Sequence, residues 1–417
     1  MVRLVVVVMG AALLVASGFA IASSPPANRA VLSVSPRDAL LDQRITVSAG
    51  NLTPGARVQL AATVTDAHGR RWRSQAAFKA DTDGNVVTSQ SPSVGGTYRG
   101  TDGMGLFWSM REVGSKVPPA EQTQLLPPVS RTRISLIEGG RTVAATTVVR
   151  RAQRAGVRES RTSMARQGFV GCFYSPPAGS KRPKAAPAVM LLAGSEGGPP
   201  CDARGQLLAS HGYPMLAVAY FGARGLPKHP EEIPLEYFER ALRWLGSQPG
   251  VDPSRLMVIG VSRGAQAALL LGAEYPSLVH AVGEYVGSNV VNAAPNAGGV
   301  PAWTMDGKPI PVGSAIPIWK TNGPLFLVGA DDDTLGLSAD AVTTMANNLS
   351  HHHRHDTTAL TYPEAGHLVD LMLPYLPLAT SVTFAGSTTS LGGTLAGNEA
   401  ARADSWPKLL GFLKRLG

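Results

Sequence analysis

Gly260-Val-Ser-Arg-Gly264 constrains the fold of this chain more than any other feature, because of what stands on either side of it. The apolar run Leu256-Met-Val-Ile259 precedes it and Ala265-Gln-Ala-Ala-Leu-Leu-Leu271 follows it. The local reading is therefore a buried strand, a sharp turn and a helix, with Ser262 at the tip. The small neighbours have a physical reason: so tight a turn leaves no room for side chains beside the serine, and the hydroxyl must be lifted clear of the strand end. Ser262 is a candidate nucleophile. In a chain with 46 glycines the string also fits plain strand-to-helix punctuation, so its partners decide.

A serine becomes reactive only when a base takes its proton and an acid orients that base. Downstream, Pro324-Leu-Phe-Leu-Val-Gly-Ala-Asp-Asp-Asp333 reads as an apolar strand ending in carboxylates, and Thr361-Tyr-Pro-Glu-Ala-Gly-His367 as a turn presenting a histidine. The chain order nucleophile, acid, base suits a hydrolase triad. His367 is the candidate base. Asp331, Asp332 and Asp333 leave one strand end and are not separated by their chemistry; two of them are expected to be turn or capping carboxylates. The tract His351-His-His-Arg-His355 lacks a second ligand cluster and reads as a polar connection. The glycine-rich turn Ala193-Gly-Ser-Glu-Gly-Gly-Pro199 leaves another apolar strand. Backbone N–H groups at Glu196 and at Arg263 are the candidate donors to an oxyanion, although glycines at a tight connection also fit a purely conformational role.

At 417 residues the chain exceeds one ordinary core, so two domains are expected. Between residues 30 and 150 short β-prone runs such as Val58-Gln-Leu-Ala-Ala-Thr-Val-Thr65 and Arg71-Trp-Arg-Ser-Gln-Ala-Ala-Phe78 alternate with turn signals, the pattern of a β-sandwich. From 165 to 417 apolar strands alternate with helical patterns, among them Leu235-Glu-Tyr-Phe-Glu-Arg-Ala-Leu-Arg-Trp-Leu245, which implies a mostly parallel sheet covered on both faces. Near the end Trp406, Leu409, Leu410, Leu413 and Leu416 fall on one helical stripe, a core-packing pattern.

The first residues follow a different grammar: Arg3, an apolar run over 4 to 16, and Ala20-Ile-Ala22 before Ser23. This predicts a signal peptide over 1–22 and a secreted or cell-envelope protein, with no stable membrane span after cleavage; the alternatives are an uncleaved anchor, for which the apolar run is short, and a cytoplasmic protein with a different start. Cys172 and Cys201 suit one disulfide in an oxidising compartment and equally two buried thiols in a reducing one. No C-x-x-C, H-E-x-x-H or phosphate-binding glycine loop is present, so no metal and no cofactor are expected. The net charge of +9 comes from dispersed residues, including Arg131, Arg133, Arg141, Arg150, Arg151, Arg154, Arg158, Arg161 and Arg166. These read as a solvated face, and nucleic acid is not an expected partner.

Taken as a series, Gly197-Gly-Pro, Leu216-Ala-Val-Ala-Tyr-Phe, Leu226-Pro-Lys, Ile233-Pro-Leu-Glu-Tyr-Phe-Glu-Arg-Ala, Gly260-Val-Ser-Arg-Gly-Ala, Phe326-Leu-Val-Gly-Ala-Asp-Asp-Asp and Tyr362-Pro-Glu-Ala-Gly-His resemble the acyl-CoA thioesterase and bile acid-CoA:amino acid N-acyltransferase family. Asp102-Gly-Met-Gly-Leu-Phe-Trp-Ser-Met110 extends the resemblance to that family's N-terminal module. The resemblance implies an N-terminal β-sandwich followed by an α/β-hydrolase domain. It puts the nucleophile on Ser262, the base on His367 and the acid on Asp332. It also implies that serine goes with hydrolytic members, the conjugating members carrying cysteine there. Gly197, Gly198 and Arg224 are candidate substrate-binding positions. Three departures bear on the substrate: the export signal, Arg263 where a lysine is usual, and a shorter excursion from Asn296 to Trp319.

The expected function is serine-dependent hydrolysis of acyl thioesters such as acyl-CoA through an acyl-enzyme. The alternatives are an exported carboxylesterase or acyltransferase on non-CoA esters, and a non-catalytic binding protein on a hydrolase scaffold. Oligomeric state is not legible.

Overall fold

The computed structural model describes residues 1–2, 29–114, 126–178, 185–198, 201–295, 298–354, 356–377, 380–384 and 387–417. The expected signal peptide, apart from residues 1–2, lies outside the described residues. Among them, no helix is long and apolar enough to cross a membrane.

The first part of the chain forms two sheets. One has three antiparallel strands, Val31–Ser35, Thr46–Gly50 and Val86–Val87. The other runs in the order Asp38–Leu40, Arg141–Arg151, Val129–Glu138, Arg57–Thr65, Arg71–Lys79, Gly95–Gly96, with Arg111–Glu112 also on Arg71–Lys79. Alternation along Arg71–Lys79 turns Trp72, Ser74, Ala76 and Phe78 inward. Trp72, Ala76 and Phe78 join Val47, Leu60, Phe107, Ile134 and Leu136 in one core. The same core accepts Leu368, Leu371, Tyr375 and Leu391, from the segment that follows His367. The N-terminal sheets thus buttress the histidine loop from behind.

One sequence expectation is corrected here. Arg150 belongs to no solvated face: it is 1% exposed, donates from Nη1 to the Tyr375 carbonyl at 2.8 Å and from Nη2 to that of Leu41, and lies over the Phe107 ring. An even position on a strand whose neighbours face solvent still turns inward where the sheet meets the second part of the chain, and backbone carbonyls there accept from Nη1 and Nη2, while Nε is left without a partner among the described residues.

The second part is built on an eight-stranded sheet ordered Arg158–Thr162, Val170–Ser175, Met215–Ala219, Ala186–Leu192, Val251–Val261, Ala281–Tyr285, Leu325–Ala330, Thr357–Tyr362. The first two junctions are antiparallel and all the others parallel. Its central strands are mainly apolar because both faces are covered. Leu256 and Val258 pack with the helices Leu235–Gly246 and Arg263–Glu274, whereas Met257 and Ile259 pack with Ala203–Ser210 and Leu395–Leu416. The last helix starts at Leu395, capped by Thr394 Oγ1 accepting from Gly397 N, well before the apolar stripe that buries Trp406, Leu409 and Leu413. Cys172 and Cys201 are joined in a disulfide with Cα atoms 5.4 Å apart.

Candidate active site

Strand Val251–Val261 delivers Ser262 at the end of the sheet, and helix Arg263–Glu274 starts at the next residue. Ser262 itself adopts φ 52°, a left-handed conformation that costs a non-glycine residue of order 1–3 kcal/mol and persists only when its surroundings fix it. They do: Ser262 N donates to the Tyr285 carbonyl at 2.8 Å, and Ala265 N to the Ser262 carbonyl at 3.1 Å. The flanking glycines are sterically required. A Cβ at Gly260 would stand 2.1 Å from the Gly264 carbonyl oxygen, and one at Gly264 2.3 Å from that of Leu192.

His367 begins a short 3-10 turn, His367–Leu371, beyond the edge strand Thr357–Tyr362. Its N–H donates to the Leu391 carbonyl at 2.7 Å, and the preceding Gly366 N donates to Asn398 Oδ1 at 2.7 Å. So held, the imidazole places Nε2 2.8 Å from Ser262 Oγ and Nδ1 2.9 and 3.0 Å from the two carboxylate oxygens of Asp333. His367 and Asp333 are both buried. Burial by itself disfavours the imidazolium, but the Asp333 hydrogen bond, with the charges of Asp370, Asp333 and Glu196, outweighs it and holds the pKa of His367 above its ordinary value.

The acid is a correction. The expected partner, Asp332, is exposed, and its Oδ2 accepts from Gly393 N at 2.8 Å. Asp333 turns inward because its carboxylate is claimed three times: by His367, by Leu335 N at 3.0 Å and by the Ser338 hydroxyl at 2.8 Å. Asp331 remains exposed at the strand end.

A cavity of about 510 Å³ opens on Ser262 and His367. Arg263 lines it, and its backbone N–H is one of the unbonded donors at a helix start. From the glycine-rich turn it is Ser195 that lines the cavity; Glu196 is exposed and does not. Gly194 packs so closely that a Cβ there would lie 3.1 Å from Ser262 Cβ. The Tyr220 hydroxyl, 2.9 and 3.0 Å from the Ala193 and Gly194 carbonyls, fixes this turn from below. Gly197 and Gly198 also lie outside the cavity lining. Gly197 abuts the Phe221 ring, Gly198 N donates to the Phe221 carbonyl at 3.1 Å, and both have positive φ. Their role is to fold the turn. Arg224 is exposed and outside the lining as well.

Three features of the site were not singled out from sequence. Gln266 Oε1 accepts from Asn292 N at 3.0 Å and so shapes one wall. Leu335 and Leu337 form part of the rim. Glu284, fully buried beneath the elbow, accepts from Gly287 N and has its pKa pushed up to about 8 by burial. The signal for Glu284 was available: a lone carboxylate in an otherwise apolar strand.

A model of the acyl-CoA thioester hydrolase/BAAT N-terminal region matches residues 42–163, and one of the BAAT/acyl-CoA thioester hydrolase C terminal matches 233–297 and 307–416. The chain is 30% identical to the bile acid-CoA:amino acid N-acyltransferase of Homo sapiens, over 92% of this chain and 97% of that protein. It is 29% identical to acyl-coenzyme A amino acid N-acyltransferase 1 of Mus musculus, with the same coverage. To acyl-coenzyme A thioesterase 6 of Mus musculus it is 28% identical, over 93% of this chain and 96% of that protein.

Proposed function

The chain belongs to the acyl-CoA thioester hydrolase/BAAT family, and from that premise we propose that it hydrolyses acyl thioesters, acyl-CoA among them, through an acyl-enzyme on Ser262. The observation that carries this reading is the continuous contact from Ser262 Oγ through the His367 ring to Asp333. His367 Nε2 accepts the serine proton as Oγ attacks the carbonyl carbon, then gives it to the leaving thiol sulfur; it next takes a proton from the water that attacks the acyl carbon and passes it to Ser262 Oγ as the carboxylic acid is released. Asp333 keeps Nδ1 protonated and stabilises the imidazolium. The N–H of Arg263 and one from the Ser195–Glu196 turn face the developing oxyanion.

In this reading residues 30–150 are a β-sandwich unit, 165–417 the α/β-hydrolase unit, and 1–22 a signal peptide that exports the protein. N-terminal sequencing of the mature protein tests the last point. Export also favours a second reading, an esterase on non-CoA substrates, since the apolar run over 4–16 follows Arg3. Incubation with a fluorophosphonate followed by peptide mass spectrometry tests the mechanism: an adduct on Ser262 is expected, and its absence from folded protein rejects the acyl-enzyme. A panel of acyl-CoA, simple thioesters and oxygen esters separates the two substrates. A kcat/KM for oxygen esters about tenfold above every CoA ester, about 1.4 kcal/mol, rejects the first.

A further inference from the structure

Leu335 and Leu337, 52% and 77% exposed, are the two exposed leucines among the described residues. Both line the cavity that holds Ser262 and His367. The rest of the lining is rich in polar groups, among them Gln266, Ser288, Asn289 and Thr344, so the leucines give the cavity an apolar rim. Their segment is held at both ends by the carboxylate that faces His367: Leu335 N donates to Asp333 Oδ1, and Ser338, which opens helix Ser338–His351, donates from its hydroxyl to Oδ2.

Leucine surface left in water beside a reactive serine is uncompensated until something apolar covers it. Of the groups that line the cavity, the leucines offer a chain attached to a carbonyl at Ser262 exposed apolar surface, from which water is displaced at less cost than from Gln266, Ser288, Asn289 or Thr344. We infer that Leu335 and Leu337 are the contact for the apolar chain of the acyl group and set the preference for chain length. The inference rests on the acyl-enzyme reading. It specifies acyl groups whose chain lies across the cavity mouth, next to the segment that anchors the acid.

The test compares inactivation by ethyl and dodecyl fluorophosphonates, with adduct mapping, in the wild type, Leu337→Ser, Leu335→Ser/Leu337→Ser and Leu337→Phe. The dodecyl-to-ethyl ratio of second-order rate constants is expected to fall about tenfold in the double serine variant and to be retained in Leu337→Phe. A ratio that stays within about twofold of wild type in the double variant overturns the rim contact. Should that variant fail to fold, the single Leu337→Ser, at the more exposed position, is judged by the same criterion. An adduct on Ser262 with an unchanged ratio rejects the rim alone, whereas no adduct in folded wild type rejects the acyl-enzyme and the rim with it.

Discussion

The carboxylate of Asp333 lies 2.9 Å from Nδ1 of His367, while Asp332, one residue earlier, holds the amide of Gly393 at 2.8 Å instead. Adjacent residues leaving a strand point in different directions, so only one of them can meet the imidazole. Replacing Asp333 by asparagine leaves the shape but loses the tautomer and the charge support, and kcat is expected to drop by about 10⁴-fold. Asp332→Asn is expected to act mainly on the turn at Gly393 and to cost far less. Steady-state kinetics of the two variants decide; a large loss confined to Asp332→Asn would reverse the assignment.

Much of this was legible because it rests on local rules. The elbow around Ser262 announces itself through an apolar strand, two obligatory glycines and a helix start, and His367 through a turn in the right chain order. The acid was not legible at residue level: Asp331, Asp332 and Asp333 share chemistry, and the choice depends on where Leu335 N and the Ser338 hydroxyl lie in space. The glycine-rich turn was read as a binding element, yet Gly197 and Gly198 serve the contact with Phe221. Arg150 reads as surface from its strand composition, yet inside the fold it meets the carbonyls of Tyr375 and Leu41, 225 and 109 residues away. Long-range partners of this kind leave no local trace.

The elbow glycines yield a steric expectation. A methyl at Gly264 would stand 2.3 and 2.4 Å from the carbonyl oxygens of Leu192, which ends the neighbouring strand Ala186–Leu192, and of Ala193, which starts the turn after it; both are backbone and cannot retreat as a flexible side chain would. Gly264→Ala is expected to destabilise the protein by about 1–3 kcal/mol and to displace Ser262, lowering activity further than stability alone. Gly411→Ala, on the terminal helix and with only a distant Arg415 atom near its added methyl, is the control and should be near neutral. Equal effects of the two on denaturant midpoint would refute the steric account.

For the pH profile, the direction at His367 is fixed by the balance described above: its pKa lies above the ordinary value. A base must be neutral to accept the serine proton, so kcat/KM is expected to rise with pH and to level off above that raised pKa. The acid limb should therefore have its midpoint above about 6.5, the usual histidine value. In Asp333→Asn, where the largest raising contribution is gone and burial remains, the residual activity should show a midpoint moved to lower pH. A limb that stays in place in that variant would show that another group controls it.

Glu284 is the least expected group near the site and gives the clearest stability test. It lies in the strand Ala281–Tyr285 with Gly260 and Leu327 as register partners, fully buried, with Oε1 accepting from Gly287 N at 2.5 Å and no partner for Oε2 among the described residues. Burial raises its pKa to about 8, against the pull of the Gly287 and Val328 amides and with added repulsion from Asp333. The sign follows from proton uptake. Between the unfolded value near 4.5 and the folded value near 8, the native state holds a proton that the unfolded state has lost. Stability is therefore greatest below the lower value and falls as pH rises through the higher one. Glutamine keeps the acceptor for Gly287 N and cannot ionise. Glu284→Gln is expected to be more stable than wild type at pH 9 by on the order of a few kcal/mol, and to lose most of that advantage at pH 5. Denaturant unfolding at several pH values measures it, and a difference between the two proteins that does not change from pH 5 to 9 would mean that Glu284 does not carry its proton into the folded state.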